Sequence, residues 1–272
     1  MVTLNISATQ LPSLFRSVID SEISHFNKQP TVTVENKIPD TPRIPITNPI
    51  HWIKIPSVIA VVVDMRGSTK FSASANPRTT AKAYRLFSET AVRLFHEFDS
   101  KYIDVKGDGV FGLFDSAQPH IALASAVTFK TFCSEIFIPS IKSESGLDVG
   151  VRIGIDCKDV LVRKIGLKVH GDRSDRQNEV WAGKPINMAF KLASLANADD
   201  IVVSERYHKM LTNEKALKSC GCPSEALLEL WEDVDVEQDD MFDFKLAKKL
   251  KSSWCKIHGA EYCSNLMATD DD

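Results

Sequence analysis

The chain has 272 residues, 43% of them apolar and 25% charged, with a net charge of −3. That length buries a full core in one large domain with extensions, and the charge balance gives no broad basic surface for a nucleic-acid polymer. The uninterrupted apolar run at 58–63 is far too short to cross a bilayer and the N-terminus shows no signal-peptide pattern. Neither membrane insertion nor export is expected, and the chain reads as cytoplasmic.

The first fifty-five residues read as an accessory arm. Leu11, Leu14, Phe15, Val18, Ile19, Ile23 and Phe26 recur at helical spacing, so an amphipathic helix is expected there. Its apolar stripe needs a surface, either on the same chain or on a partner subunit. Pro30, Pro39, Pro42, Pro45, Pro49 and Pro56 then punctuate an extended linker. A buried strand, Val58 to Val63, follows, and Pro77 to Phe98 has helical periodicity. A hairpin is expected at 102–114, a helix at 120–137, and a strand from Leu147 to Asp156 opposite Val160 to Ile165. This order indicates an α+β sandwich with helices covering a sheet. The acidic stretch at 232–240 and the basic one around 245–251 read as solvated charge runs.

Six scattered cysteines lack small-domain disulfide spacing and are expected to be reduced. Cys220-Gly-Cys222 and Cys255-x2-His258-x4-Cys263 contain enough donors for zinc, but their spacing is atypical, and unligated thiols are the expectation. The histidines at 96, 120 and 170 form no ligand cluster in the sequence.

Chemistry concentrates at two strand ends. The run at 58–63 leads into Asp64-Met65-Arg66-Gly67-Ser68-Thr69, and a second apolar-flanked turn reads Lys106-Gly107-Asp108-Gly109. An aspartate at such a position needs backbone amides, a cation or a metal ion as a partner. Two of them suit divalent ions, and the small residues of the Gly-Ser-Thr turn let amides approach a phosphate. Taken singly, Asp64 also reads as a helix N-cap and Asp108 as a hairpin-turn residue.

Four segments repeat, in order and spacing, the layout of a known catalytic domain. They are Val63 to Thr69, Lys106 to Phe114, Val151-Arg-Ile-Gly-Ile155, and Ala182-Gly-Lys-Pro-Ile-Asn187-Met-Ala-Phe-Lys191-Leu, followed by Asp200-Ile-Val-Val-Ser-Glu205. Residues 56–212 therefore resemble the class III nucleotide cyclases, the adenylate and guanylate cyclase family, with residues 213–272 as a C-terminal extension. The resemblance implies a ferredoxin-like, palm-type antiparallel sheet sandwiched with helices, working as a homodimer. It also implies two Mg²⁺ or Mn²⁺ ions per site, held by Asp64, Asp108 and the Met65 carbonyl, with amides of Arg66, Gly67, Ser68 and Thr69 around the β- and γ-phosphates. Asn187 would orient the ribose. Lys191 would meet charge at the α-phosphate, where the family usually carries arginine.

At position 104, where purine cyclases carry a base-contacting lysine, this chain has an aspartate, with Lys106 two residues later on the same strand face. An acceptor there suits uracil N3–H or a cytosine amino group, and adenine N6 as well. The Asp-Met-Arg-Gly-Ser-Thr signature and the added N-terminal helix are similar to the Pycsar-type pyrimidine cyclases of bacterial anti-phage systems. That likeness implies UTP as the favoured substrate, cyclic UMP as a messenger, and a separate effector responsive to cyclic nucleotides. The alternatives are a cytidylate cyclase, an ordinary adenylate or guanylate cyclase, and a catalytically silent nucleotide-binding dimerisation module.

Overall fold

The apolar run at 58–63 lies inside a much longer strand. In the computed structural model, which describes residues 10–167, 176–197 and 199–271, strand β2 covers His51–Arg66. It passes through Pro56 by a register shift between Ile55 and Val58, a bulge that absorbs the missing proline N–H. His170 lies outside the described residues.

Helix α1 spans Ser13–Phe26, as the periodicity predicts, yet it buries none of its residues. Phe26 is 88% exposed and Leu14 70%, so the described residues leave the apolar stripe uncovered. The linker then contributes a short strand, β1 (Thr31–Val34), parallel to the start of β2. Ile38 and Ile44 of the same linker are buried.

Helices α2 (Ser68–Ser74) and α3 (Pro77–Glu97) lead to the expected hairpin, β3 (Tyr102–Lys106) and β4 (Gly109–Phe114). Helix α4 (Pro119–Phe132) continues through a π-turn into α5 (Ile138–Ser145). This 27-residue stretch is long and apolar enough to cross a membrane by length and composition, a feature hidden in the sequence because Lys130 interrupts it. Here it is a core helix packed under the sheet, and Lys130 is 2% exposed. Its ammonium donates to the Lys251 and Ser252 carbonyls, and burial lowers its pKa to about 8.

The expected hairpin at 147–165 is instead one continuous strand, β5 (Gly150–Gly166), paired with β2 along nearly its whole length. The partner of residues 160–166 is β6 (Gln177–Gly183). Helix α6 (Lys184–Leu195), strand β7 (Ile201–Ser204) and helix α7 (Glu205–His208) follow. Beyond the short α8 (Glu214–Leu217), β8 (Trp231–Asp235) and β9 (Leu246–Leu250) extend the sheet and α9 (Gly259–Thr269) returns to α4. The opposite charge runs are thus the two arms of one hairpin, with Lys249 reaching Glu232 at 3.2 Å and Lys248 bonded to Asp233.

Among the described residues the sheet order is β3-β4-β2-β5-β7-β9-β8, with β1 and β6 as side branches. β5 and β7 are parallel and the other main pairings antiparallel. One face carries α3 and α4 over a core that includes Ile59, Val61 and Val63. The other carries α6 over Ala60, Val62 and Val162. Gly154 makes that crossing possible: a Cβ there would lie 1.9 Å from the Ala189 carbonyl, so only glycine lets the helix backbone touch the strand.

Candidate active site

The last pairs of β2 set Asp64 opposite Gly109 on β4 and opposite Arg152 on β5. Directly opposed residues share a face, so Asp64 and Arg152 project on the α6 side of the sheet. The Met65 amide donates to the Asp108 carbonyl at 3.3 Å, which docks the Lys106–Asp108 turn on the end of β2. Because a strand residue's N–H and C=O share an edge, the Met65 carbonyl is directed at the same turn. Asp108 in turn accepts a hydrogen bond from the Ser68 hydroxyl.

The electrostatics of this group are unbalanced. Burial first, and the charge of Asp108 second, raise the Asp64 carboxyl above its ordinary value, while Arg152 pulls the other way. Two adjacent carboxylates, a hydroxyl and a carbonyl are hard oxygen donors short of positive charge, which is what a Mg²⁺ or Mn²⁺ ion relieves. The residues present therefore fit such an ion. Gly67, at φ +83°, turns β2 directly into α2. The first-turn amides of that helix, Ser68 and Thr69 among them, have no intrahelical acceptor, and Arg66 stands exposed beside them.

A second group lies on β3. Tyr102, Asp104 and Lys106 alternate onto one face, and Lys106 pairs with Asp104 at 2.7 Å. The Tyr102 ring lies 4.7 Å from Trp181 and 6.0 Å from Phe111, so an aromatic wall stands beside the Asp104 carboxylate. Burial, then the charge of Asp104, pushes the Tyr102 hydroxyl up, which keeps it protonated and able to donate.

The third group sits on α6. Asn187 and Lys191 are one turn apart, and Asn187 is exposed. Lys191 donates to the Met241 carbonyl at 2.7 Å. Among the described residues neither side chain bonds to Asp64 or Asp108. Phe190, three residues after Asn187 on the same helix, packs against Phe111 at 6.3 Å. The chain thus brings Asp64, Met65, Ser68 and Asp108 together, gathers Asp104 with Lys106, and leaves Asn187 exposed on α6 with the half-buried Lys191 bonded to the Met241 loop.

Sequence reasoning passed over Arg152, although a lone charge inside Val151-Arg-Ile-Gly-Ile155 was the available signal, since such a strand does not bury a cation without a counter-charge. It also passed over the loop carrying Met241 and Asp243. Asp243 binds Lys158 at 2.6 Å, Lys184 at 3.0 Å and Arg206 at 2.9 Å, so it anchors the first residue of α6. Only tertiary structure brings those cations together.

A mixed, mostly antiparallel sheet covered by helices on both faces is the fold of class III nucleotide cyclase catalytic domains. The chain belongs to that family: residues 53–225 match the adenylate and guanylate cyclase catalytic domain. It is 35% identical over 257 residues to a uridylate cyclase from Propioniciclava tarda, covering 92% of this chain and 82% of that one. A uridylate cyclase from Micromonospora echinofusca is 30% identical over 221 residues, 79% of this chain and 71% of its own. In fold, the chain is similar to an adenylyl cyclase from P. aeruginosa, with a TM-score of 0.58 at 14% identity over 74% of this chain and 96% of that one. Class III cyclases use Mg²⁺ or Mn²⁺.

Proposed function

We propose that this cyclase converts UTP to 3′,5′-cyclic UMP and pyrophosphate at a site shared by two copies of the chain. The single observation that carries the uracil assignment is an acceptor, Asp104, beside the Tyr102–Trp181 wall, where purine cyclases present a lysine donor. Two relatives that match most of the chain are uridylate cyclases, which supports the same reading.

In the reaction the ribose 3′-hydroxyl gives its proton to solvent and its oxygen forms a bond to the α-phosphorus. The α–β bridging bond breaks, and pyrophosphate leaves with the electron pair. Asp64 and Asp108, with the Met65 carbonyl, would hold two Mg²⁺ or Mn²⁺ ions, which when bound acidify the hydroxyl and neutralise the phosphates. Amides from Arg66 to Thr69 cradle the β- and γ-phosphates at the start of α2. Asn187 orients the ribose and Lys191 meets the charge that grows at the α-phosphate. Lys106 holds Asp104 in place toward the base.

The active unit is a homodimer in which Asp64 and Asp108 of one chain face Asn187 and Lys191 of the other. The exposure of Asn187 supports this arrangement, and so does the apolar stripe of α1, which the described residues leave uncovered and which suits a partner subunit. The enzyme works in the cytoplasm on the nucleotide pool. Its product is a diffusible messenger for a cyclic-nucleotide-responsive effector in anti-phage defence. Support for that last step is the Asp64–Thr69 signature and the added N-terminal helix. The test is a competition in which ATP, GTP, CTP and UTP are supplied together with Mn²⁺ and the cyclic products are separated. Predominant cyclic UMP is expected; predominant cyclic AMP, GMP or CMP overturns the uracil assignment.

A further inference from the structure

The C-terminal extension gathers four donors that are 38 residues apart in the chain at their extremes, Cys220 to His258. One donor atom from each of Cys220, Cys222, Cys255 and His258 lies within 4.8 Å of all the others. The Cys222 sulfur is 3.3 Å from His258 Nδ1. Tetrahedral zinc, with Zn–S about 2.3 Å and Zn–N about 2.0 Å, sets its donors roughly 3.5–3.8 Å apart. The cluster therefore needs only a small contraction to close on an ion.

Local backbone points both pairs inward. Gly221, at φ +83°, turns the Cys-Gly-Cys segment so that both sulfurs leave on one side. Cys255 and His258 lie in the turn that opens α9, where the Gly259 amide donates to the Cys255 carbonyl at 2.7 Å. A Cβ at Gly259 would lie 2.8 Å from Trp254 Cβ, so this tight turn requires glycine. Cys263, one turn further along the helix, is half-buried outside the cluster and lines a different cleft with Thr128 and Thr131. The fold has thus selected four of the five donors in the two motifs.

The surrounding region is one that needs a staple. Between α8 and β8 the chain has no helix or strand, and Leu227 and Leu228 are 60% and 61% exposed. A loop with so little apolar contact is the kind of segment that metal coordination folds. We propose that Cys220, Cys222, Cys255 and His258 form a closed structural zinc site that fastens this loop to the start of α9. Four protein donors fill a tetrahedral ion, so no position remains open for catalysis. Loading exchanges the water ligands of the hydrated ion for three Zn–S bonds and one Zn–N bond and releases the protons still held by the thiols to solvent, with no change of oxidation state.

At its other end α9 is fixed by Asp270, whose carboxylate accepts from the His120 and Ile121 amides at 2.8 and 2.7 Å. Zinc would therefore tie the start of α9 to the loop that follows α8, while Asp270 ties its end to α4. The site is distinct from the Asp64–Asp108 group, and its test does not depend on turnover.

The experiment is elemental analysis of the full chain purified under reducing conditions without a polyhistidine tag. About one zinc ion per chain is expected, and Co²⁺ exchanged into the site should give intense thiolate-to-metal charge-transfer absorption. Cys220→Ser/Cys255→Ser should lose the zinc, while Cys263→Ser and Asp64→Ala should keep it. Folded wild-type chain with less than about a tenth of an equivalent of zinc, and no Co²⁺ uptake, would overturn the proposal. So would a disulfide among the three cysteines in the alkylated, unreduced chain, or loss of zinc in Cys263→Ser.

Discussion

Arg206 ties the buried middle of β5 to the loop that anchors the start of α6. Its guanidinium clamps both oxygens of Asp156, at 2.7 Å from Nε to Oδ1 and through a second bond to Oδ2, and Asp156 is 0% exposed in the middle of β5. The same group reaches Asp243 at 2.9 Å and lies 5.1 Å from the Phe244 ring. Arg206→Met keeps much of the apolar stem but leaves a buried carboxylate with its charge uncompensated. Removing one partner of such a pair costs about 3–5 kcal/mol, a large share of the roughly 5–15 kcal/mol that holds a domain folded. In urea, with a slope near 3 kcal/mol/M, the midpoint should fall by roughly 1–1.7 M. The double variant Asp156→Asn/Arg206→Met, which removes the stranded charge, should recover part of that loss. Asp243 also holds Lys184, and its loop supplies the Met241 carbonyl to Lys191, so turnover should drop at temperatures where the single variant is still folded. A loss below about 1 kcal/mol with unchanged slope would refute the argument.

Partial burial pushes the Asp243 carboxyl up, but hydrogen bonds from Lys158 and Lys184 and the charge of Arg206 outweigh it and hold it well below the usual carboxylate range. A depressed pKa contributes stability that is complete above the unfolded value of about 4 and is lost as pH falls toward the folded one. The stability gap between wild type and Asp243→Asn should therefore shrink on acidification from pH 6 to pH 3, read from urea midpoints; a constant gap contradicts it. Asp108→Ala should be more damaging than Lys191→Ala, for which a loss of one transition-state contact implies about 2–4 kcal/mol, or roughly 30- to 1,000-fold in kcat. Lys191→Arg should be tolerated, and near-normal turnover by a folded Asp108→Ala would remove the metal assignment. Asp104→Lys should lose most UTP cyclisation while gaining little with ATP or GTP, because one contact rarely rebuilds a pocket. Unchanged kinetics with UTP would mean that another residue, such as Tyr102, reads the base.

Local patterns made part of this molecule legible. Strand propensity in Val58 to Val63 and the 3.6-residue period of Pro77 to Phe98 depend on neighbours in sequence, and both elements formed where the pattern lay. The carboxylates at 64 and 108 were visible for the same reason, since a charge at the end of a buried strand stands out. Non-local pairing was not visible. Asp156, Lys158 and Asp159 look like turn residues, yet β5 runs through them because β2 continues alongside, and Asp156 has Arg206 to meet it. The charge runs at 232–240 and 245–251 have meaning only in the register of β8 and β9. Likewise, the two cysteine motifs offer zinc donors in the sequence, but only the fold shows that Cys220, Cys222, Cys255 and His258 converge and Cys263 does not.

The composite site is tested most directly by mixing two inactive variants, Asp64→Ala and Asn187→Ala, under conditions that exchange subunits, and measuring cyclic UMP formed from UTP. Each homodimer carries a lesion in both of its sites. In a heterodimer one site collects both lesions and the other none. With random pairing and independent sites, about a quarter of wild-type cyclic UMP formation should return. Mixtures that stay inactive despite confirmed subunit exchange would contradict the account, because the catalytic residues would then have to meet within one chain.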